Sequence, residues 1–196
     1  MTEFDISDVR LCGDGLALRP WNPDSDHDVA AWLSGTTDPE FTRWNTPDRT
    51  LTTNSEARES LRRRRDGQSH GASVSFCITD ATFEAVLGHV GINAITWSMK
   101  RAHVGFWLLP EARGHHVSAR ALSLASAWAL NDLGLYRLEL YHAVGNDASC
   151  RTADLCRFTH EGTLRGRMFL PGDRARFRDA HLHARLASDP QPTATS

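Results

Sequence analysis

The sequence predicts an α/β (α+β) fold: one domain built on a central mixed, mostly antiparallel sheet with helices on its faces. Segments 72–80, 84–96 and 102–109 alternate apolar and polar residues between short polar breaks, the pattern of an antiparallel meander. A long segment directly after it, beginning at Val117, repeats apolar residues at helical spacing, as a helix lying on that sheet requires. The chain has 196 residues, 40% of them hydrophobic and 23% charged, which suits one sizeable core.

Taken in order, "LALRPW" (16–21) reads as a first strand. "PDSDHDVAAWLSG" then supplies aspartate caps and the apolar Val29, Ala30, Trp32 and Leu33 for a short helix stopped by Gly35. A polar, Thr-rich loop follows, and Thr53-x-x-Glu56 forms a capping box for the surface helix "SEARESLRRRRDG", which ends at Gly67. After the three meander strands comes the helix with Val117, Ala121, Leu124, Ala125 and Trp128 on one stripe, stopping towards Gly134. "YRLELYHAV" (136–144) is a strand, "NDASCRTADLCRF" a capped helix and "RFRDAHLHARL" (176–186) a closing strand. The expected total is about six or seven strands and about four helices, in a domain spanning 1–187 with a polar, disordered tail over 188–196.

A net charge of -2 and a pI near 6.5 exclude a global attraction to nucleic acid or an anionic membrane. Cys12, Cys77, Cys150 and Cys156 form no CxxC pair, and the N-terminus has no basic and apolar regions of a signal peptide, so reduced thiols and a cytoplasmic location are expected. No apolar run reaches the roughly 18 residues of a membrane span.

The stretch that carries chemistry is "GFWLLPEARGHHVSARAL". It runs from a strand through Pro and Gly into a helix, and a helix N-terminus presents unpaired N–H groups and the positive end of its dipole to an anion. Taken with "LGLYRLELYHAVGNDASCRTADLCRFTHEGTLRG", it resembles the GNAT superfamily of N-acyltransferases, in particular the RimJ/RimL-like branch that acetylates ribosomal-protein N-termini, over about Leu16 to Leu186. The resemblance implies that the two strands flanking the loop's helix splay apart and that the pantetheine of acetyl-CoA or another acyl-CoA inserts between them, pairing with the backbone of Leu108 and Leu109. The family's Q/R-x-x-G-x-G/A loop aligns with Arg113-Gly114-His115-His116-Val117-Ser118, so that His116 replaces the central Gly and Ser118 the small Gly or Ala. An imidazole at His116 either turns outward and leaves coenzyme A binding intact, or displaces the diphosphate. The second case would favour a donor on an acyl carrier protein.

His103 stands where the family often carries a carboxylate base, and an imidazole can take a proton from an incoming ammonium; a strand histidine satisfied by its neighbours is the other reading. Asn146 and Ser149 match the family's N-x-x-S, which implies that Asn146 faces the pantetheine and that Ser149 protonates the leaving thiolate; Asn146 is also a natural helix N-cap. Cys150 and Cys156 have no base spaced to activate them. His181-x-His183 places two imidazoles on one strand face, which suits zinc but lacks a third ligand, so no metal is expected. Arg62, Arg63, Arg64 and Arg65, with Arg58, form either a solvated face or a docking site for an acidic carrier protein. Trp44, Trp97, Phe106 and Trp107 lie at the acceptor side of the sheet or in the core. The expected function is acyl transfer from a pantetheine thioester to a primary amine of a small molecule or an N-terminus, by a monomer or homodimer. A carrier-dependent enzyme of natural-product synthesis and an inactive binding module are the alternatives.

Overall fold

The computed structural model describes residues 6, 8–47, 49–82 and 85–190. Its elements run β1 (Leu11–Gly13), β2 (Leu16–Pro20), α1 (Asp26–Thr37), α2 (Pro39–Trp44), α3 (Asn54–Ser69), β3 (Val74–Asp80), β4 (Val86–Thr96), β5 (Arg101–Leu108), α4 (Val117–Asn131), β6 (Arg137–Ala143), α5 (Asp147–Leu155), β7 (Thr159–Leu170) and β8 (Asp173–Leu186). The eight strands form one sheet in the order β1-β2-β3-β4-β5-β6-β8-β7. Every neighbouring pair is antiparallel except β5 with β6.

Alternation along the strands divides the core in two. Phe76, Ile78, Val90, Ile92, Ala102 and Val104 point to one face, where Val117, Ala121, Leu122 and Ala125 of α4 and Ala153 of α5 cover them. Cys77, Val86 and Trp107 point to the other, against Val29 and Trp32 of α1 and Ala57 and Leu61 of α3. Polar side chains start these helices: Ser25 accepts from the Asp28 N–H, Thr53 from the Glu56 N–H and Asn146 from the Ser149 N–H. The capping box is displaced by one residue, because the Glu56 carboxylate accepts from the N–H and hydroxyl of Thr52 rather than from Thr53.

Three parts of the sequence reading change. Gly35 does not stop α1, which continues to Thr37; the glycine is required because a Cβ there would sit 2.1 Å from the Trp107 ring. The Thr-rich segment contains α2, started by Asp38, whose carboxylate accepts from the N–H groups of Glu40 and Phe41, and by Pro39 in the first turn. Residues 159–170 form β7, a largely exposed strand with three register shifts against β8, joined to it through Pro171 and a Gly172 at φ +75°. Bulges and exposure erase the alternation that would have marked it. Of the expected tail, Asp189 turns back on Leu186 through two hydrogen bonds, and 191–196 lie outside the described residues.

Among the described residues the one parallel pair, β5 with β6, stops short of the ends of its strands. β5 and β6 are in register over Arg101–Val104 and Arg137–Leu140, and beyond those residues they part. β6 keeps its antiparallel partner β8 along its whole length and β5 keeps β4. The sheet therefore opens in its middle without losing either half.

Candidate active site

A cavity of about 290 Å³ fills the opening between β5 and β6. Gly105–Leu108 and Leu140–His142 form its sides, Gly114, Ser118, Asn146 and Ser149 line it on the α4/α5 face, and Phe41, Trp44 and Met168 line it on the α1/α2 face. A ligand lying in the opening is thus reached from both sides of the sheet.

On the α4 side, the predicted loop keeps the backbone of an anion site. His116 is the N-cap of α4 in the left-handed conformation, φ +54° and ψ +18°, and its side chain makes no capping bond. The first-turn amides of α4 are therefore left without a side-chain acceptor, as a helix N-terminus that holds an anion requires. The imidazoles of His115 and His116 are exposed, whereas Val117 is buried in the core. Arg113 does not point free towards solvent: it ion-pairs with Asp38 and donates to the Leu108 carbonyl. Its role is to fasten the loop to β5 and to the start of α2.

Leu109 needs correction as a donor contact. Its N–H donates to Leu87 O at 2.9 Å and its side chain is buried, so its amide faces β4. Alternation of bonding in the antiparallel ladder then turns the amides of Phe106 and Leu108 towards the opening. Asn146 and Ser149 both line the cavity, and Asn146 also caps α5. Ser118 Oγ lies 3.2 Å from Thr152 Oγ1, tying α4 to α5.

On the opposite face, His103 is paired in register with Glu139, a residue the sequence reading missed. His103 Nε2 is 3.3 Å from Glu139 Oε2, Arg137 Nε donates to Glu139 Oε1 at 2.7 Å, and the Tyr141 hydroxyl donates to Glu139 Oε2. His103 lies outside the cavity lining, behind Tyr141, whose ring is 4.9 Å away and does line it. Burial lowers the pKa of His103, with Arg167 and Arg101 acting in the same direction and Glu139 opposing them. Burial pushes the Glu139 carboxyl up, but hydrogen bonds from Tyr141 and Arg137 outweigh it and hold the group below its ordinary value. The Tyr141 phenol, buried beside that carboxylate, is pushed up to about 12. At neutral pH the cluster holds a neutral imidazole, a carboxylate and a protonated phenol.

The aromatic residues divide: Trp44, Phe106 and Trp107 line the cavity, while the exposed Trp97 donates to Gly71 O elsewhere. The arginine run has acidic and aromatic neighbours within the chain, and Arg62, Arg63 and Arg65 stay exposed. Arg58 pairs with Asp26, Arg62 and Arg65 with Asp24, and Arg63 with Glu59, while Arg64 lies 4.7 Å over the Trp32 ring. His181 and His183 do share a sheet face, and the structure brings two more side chains to them: one donor atom each of His142, Cys150, His181 and His183 lie within 4.8 Å of one another. Burial and nearby acidic charge raise the Cys150 thiol pKa, in keeping with its not being a free nucleophile.

Comparison with known proteins bears on what such an opening is for. Residues 16–159 match the family model described as an acetyltransferase (GNAT) domain. Among curated proteins, the uncharacterized N-acetyltransferase YoaA of Bacillus subtilis (strain 168) is 28% identical over 87 residues, which cover 44% of this chain and 49% of that protein. The chain thus spans about half the length of the curated relatives it matches. Among solved structures, a ribosomal-protein-S5-alanine acetyltransferase from Vibrio fischeri superposes with a TM-score of 0.80 at 19% identity, over 94% of this chain and 100% of that one. Mycobacterium smegmatis RimJ, in complex with CoA-disulfide, gives 0.79 at 21% identity over 94% and 90% of the two chains.

Proposed function

Because this chain belongs to the acetyltransferase (GNAT) domain family, we propose that it transfers an acyl group, acetyl in the first instance, from acyl-coenzyme A to a primary amine. The observation that carries this reading is the opening between β5 and β6, with an uncapped helix N-terminus at one mouth and an aromatic-walled chamber at the other. At about 290 Å³ the cavity is at the small end of ligand pockets, the size of a thioester arm and a small acceptor rather than of a whole nucleotide donor. The donor's diphosphate then lies outside it, at the first-turn amides of α4, and its pantetheine runs along the amides of Phe106 and Leu108. The CoA-disulfide in complex with RimJ of Mycobacterium smegmatis is a form of coenzyme A without an acyl group, and it supports the coenzyme rather than the acyl group.

The chemistry needs no nucleophilic side chain. An ammonium acceptor first loses a proton to the neutral His103, by way of water past Tyr141, and the imidazolium then gives that proton to solvent. The free amine attacks the thioester carbonyl carbon; as the C–N bond forms, the C–S bond breaks, and the leaving thiolate takes a proton from Ser149, which is restored by the proton the new amide nitrogen gives up. Glu139 holds His103 and Tyr141 in place and stabilises the imidazolium when it forms. Rate acceleration comes mainly from holding amine and thioester together. Phe41, Trp44, Trp107, Tyr141 and Met168 around the acceptor mouth suit an amine on a small apolar body better than an extended polypeptide.

The test is acetyl-CoA turnover with a panel of small aromatic and aliphatic amines and N-terminal peptides, read by thiol release and by mass gain of the amine. Amine-dependent release with an acetylated product supports the reading. Coenzyme A binding without turnover on any amine identifies an inactive binding module, and turnover only from an acylated carrier protein identifies the carrier-dependent alternative.

A further inference from the structure

Beside the proposed acyl-transfer cleft, four side chains from three elements converge on a point that this chemistry does not use. His142 on β6 is the register partner of His181 on β8, and His183, two residues on, faces the same side. Helix α5 lays Cys150 over them. His142 Nε2 is 3.1 Å from His183 Nε2, and Cys150 Sγ is 3.8 Å from the same nitrogen. His142 and His183 are buried, and the buried Nδ1 of His181 has no hydrogen-bond partner among the described residues.

The hydrogen bonds fix which ring nitrogens are available. His142 Nδ1 is 3.1 Å from Ala143 O, and His183 Nδ1 is 3.4 Å from Phe158 O. With each Nδ1–H turned to its carbonyl, the tautomer that a metal-binding histidine uses, both Nε2 atoms are bare lone pairs. Two lone pairs facing each other at 3.1 Å need a positive centre between them. A single proton would serve these two nitrogens and leave His181 Nδ1 and the thiol unused, whereas a metal ion uses all four donors. Backbone carbonyls behind imidazole ligands are also the usual arrangement that orients a metal-binding histidine.

We propose that His142, Cys150, His181 and His183 bind one zinc ion in a closed, tetrahedral site that pins α5 to β6 and β8. Zinc bonds of about 2.0–2.1 Å to nitrogen and 2.3 Å to sulfur place tetrahedral ligands roughly 3.3–3.7 Å apart. The separations of 3.1 and 3.8 Å bracket that range, and the widest, 4.8 Å, closes by about an ångström. Three imidazoles and a thiol with no carboxylate select zinc over magnesium or calcium. As the Zn–S bond forms, the Cys150 thiol gives its proton to solvent. The exposed His160, on β7 opposite His183, sits outside the four but packs its ring 5.0 and 5.1 Å from those of His181 and His183, so the exposed His70, on another element, is the control. Because Cys150 adjoins Ser149, and His142 itself lines the cleft, the ion holds the end of α5 that the acyl-transfer site depends on.

The experiment uses the untagged chain, stripped with a chelator and titrated with cobalt(II), then zinc(II). One equivalent of cobalt should give the visible bands of tetrahedral coordination and an ultraviolet thiolate-to-cobalt band, one equivalent of zinc should erase both, and zinc should raise the Tm. Cys150→Ser should abolish the thiolate band, His181→Ala should weaken zinc binding at least tenfold, and His70→Ala should change neither; circular dichroism checks that each variant is folded. Absence of stoichiometric cobalt or zinc binding by the folded wild-type chain overturns the site. So does a thiolate band that survives in Cys150→Ser, since the ligand sulfur would then be another cysteine.

Discussion

Replacing His116 by glycine separates the two things a side chain can do in the donor loop: strain the backbone and meet the ligand. His116 holds φ +54° and ψ +18°, a left-handed conformation that costs a residue with a Cβ about 1–2 kcal/mol. Glycine adopts it freely but gains about 0.5–1 kcal/mol of disorder in the unfolded chain. No capping bond is lost, because the imidazole makes none. The net is a stabilisation of about 0.5–1 kcal/mol, or about 1–4 °C in Tm for a chain of this size. The imidazole is exposed and makes no bond to the first-turn amides of α4, where the diphosphate is proposed to lie, so the Kd for coenzyme A should stay within about threefold of wild type. His116→Val, β-branched in the same conformation, should lose stability. Differential scanning calorimetry and isothermal titration read both quantities. A lower Tm for His116→Gly would refute the strain argument, and a Kd moved tenfold in either direction would show that the imidazole does meet the donor.

Gly35→Ala puts a Cβ 2.1 Å from the Trp107 ring, so overpacking should remove about 1–3 kcal/mol and lower the Tm by several degrees, with a raised KM because Trp107 also lines the cavity; an unchanged Tm would mean that α1 does not seat on that ring. Since the folded His103 pKa is lowered, the imidazole stays neutral below its ordinary 6.5, and the acid limb of kcat/KM should fall below that pH. The same sign means that this group favours the folded state above its unfolded pKa and that its contribution fades as pH falls. Glu139→Gln removes the charge that raises the His103 pKa, so the acid limb should shift to still lower pH; a limb that stays in place would exclude the pair from the proton path. Ser149→Ala should lower kcat about tenfold with the coenzyme A Kd within twofold, and an unchanged kcat would remove Ser149 from leaving-group protonation.

What the sequence made legible is local. Asn146 caps α5, the α4 stripe packs on the sheet and the loop of residues 113–116 feeds a helix N-terminus, because each depends on residues a few positions apart. Glu139 was invisible because its meaning comes from register: "YRLELYHAV" shows only alternation, and the parallel pairing that sets Glu139 beside His103 joins residues 36 apart. The histidine and cysteine group is the same case, since Cys150 meets His183 only after α5 folds across β6 and β8. The arginine run left two readings open, a solvated face or a docking site, and its partners lay out of reach of the sequence: Asp24 and Asp26, just before and at the start of α1, pair with three arginines of α3. The Asp38-Pro39 start of α2 and the Pro171-Gly172 turn before β8 were readable signals. They fell within polar stretches that otherwise lacked periodicity.

Hydrogen exchange by mass spectrometry, with and without saturating acetyl-CoA, tests most directly that the opening between β5 and β6 is the donor site. Slowed exchange should be confined to peptides covering residues 105–109, 114–120 and 146–150, where the backbone faces the opening, the helix N-terminus or the cap of α5. Slowing that spares 105–109 and 114–120, or no slowing at saturation, would contradict the account.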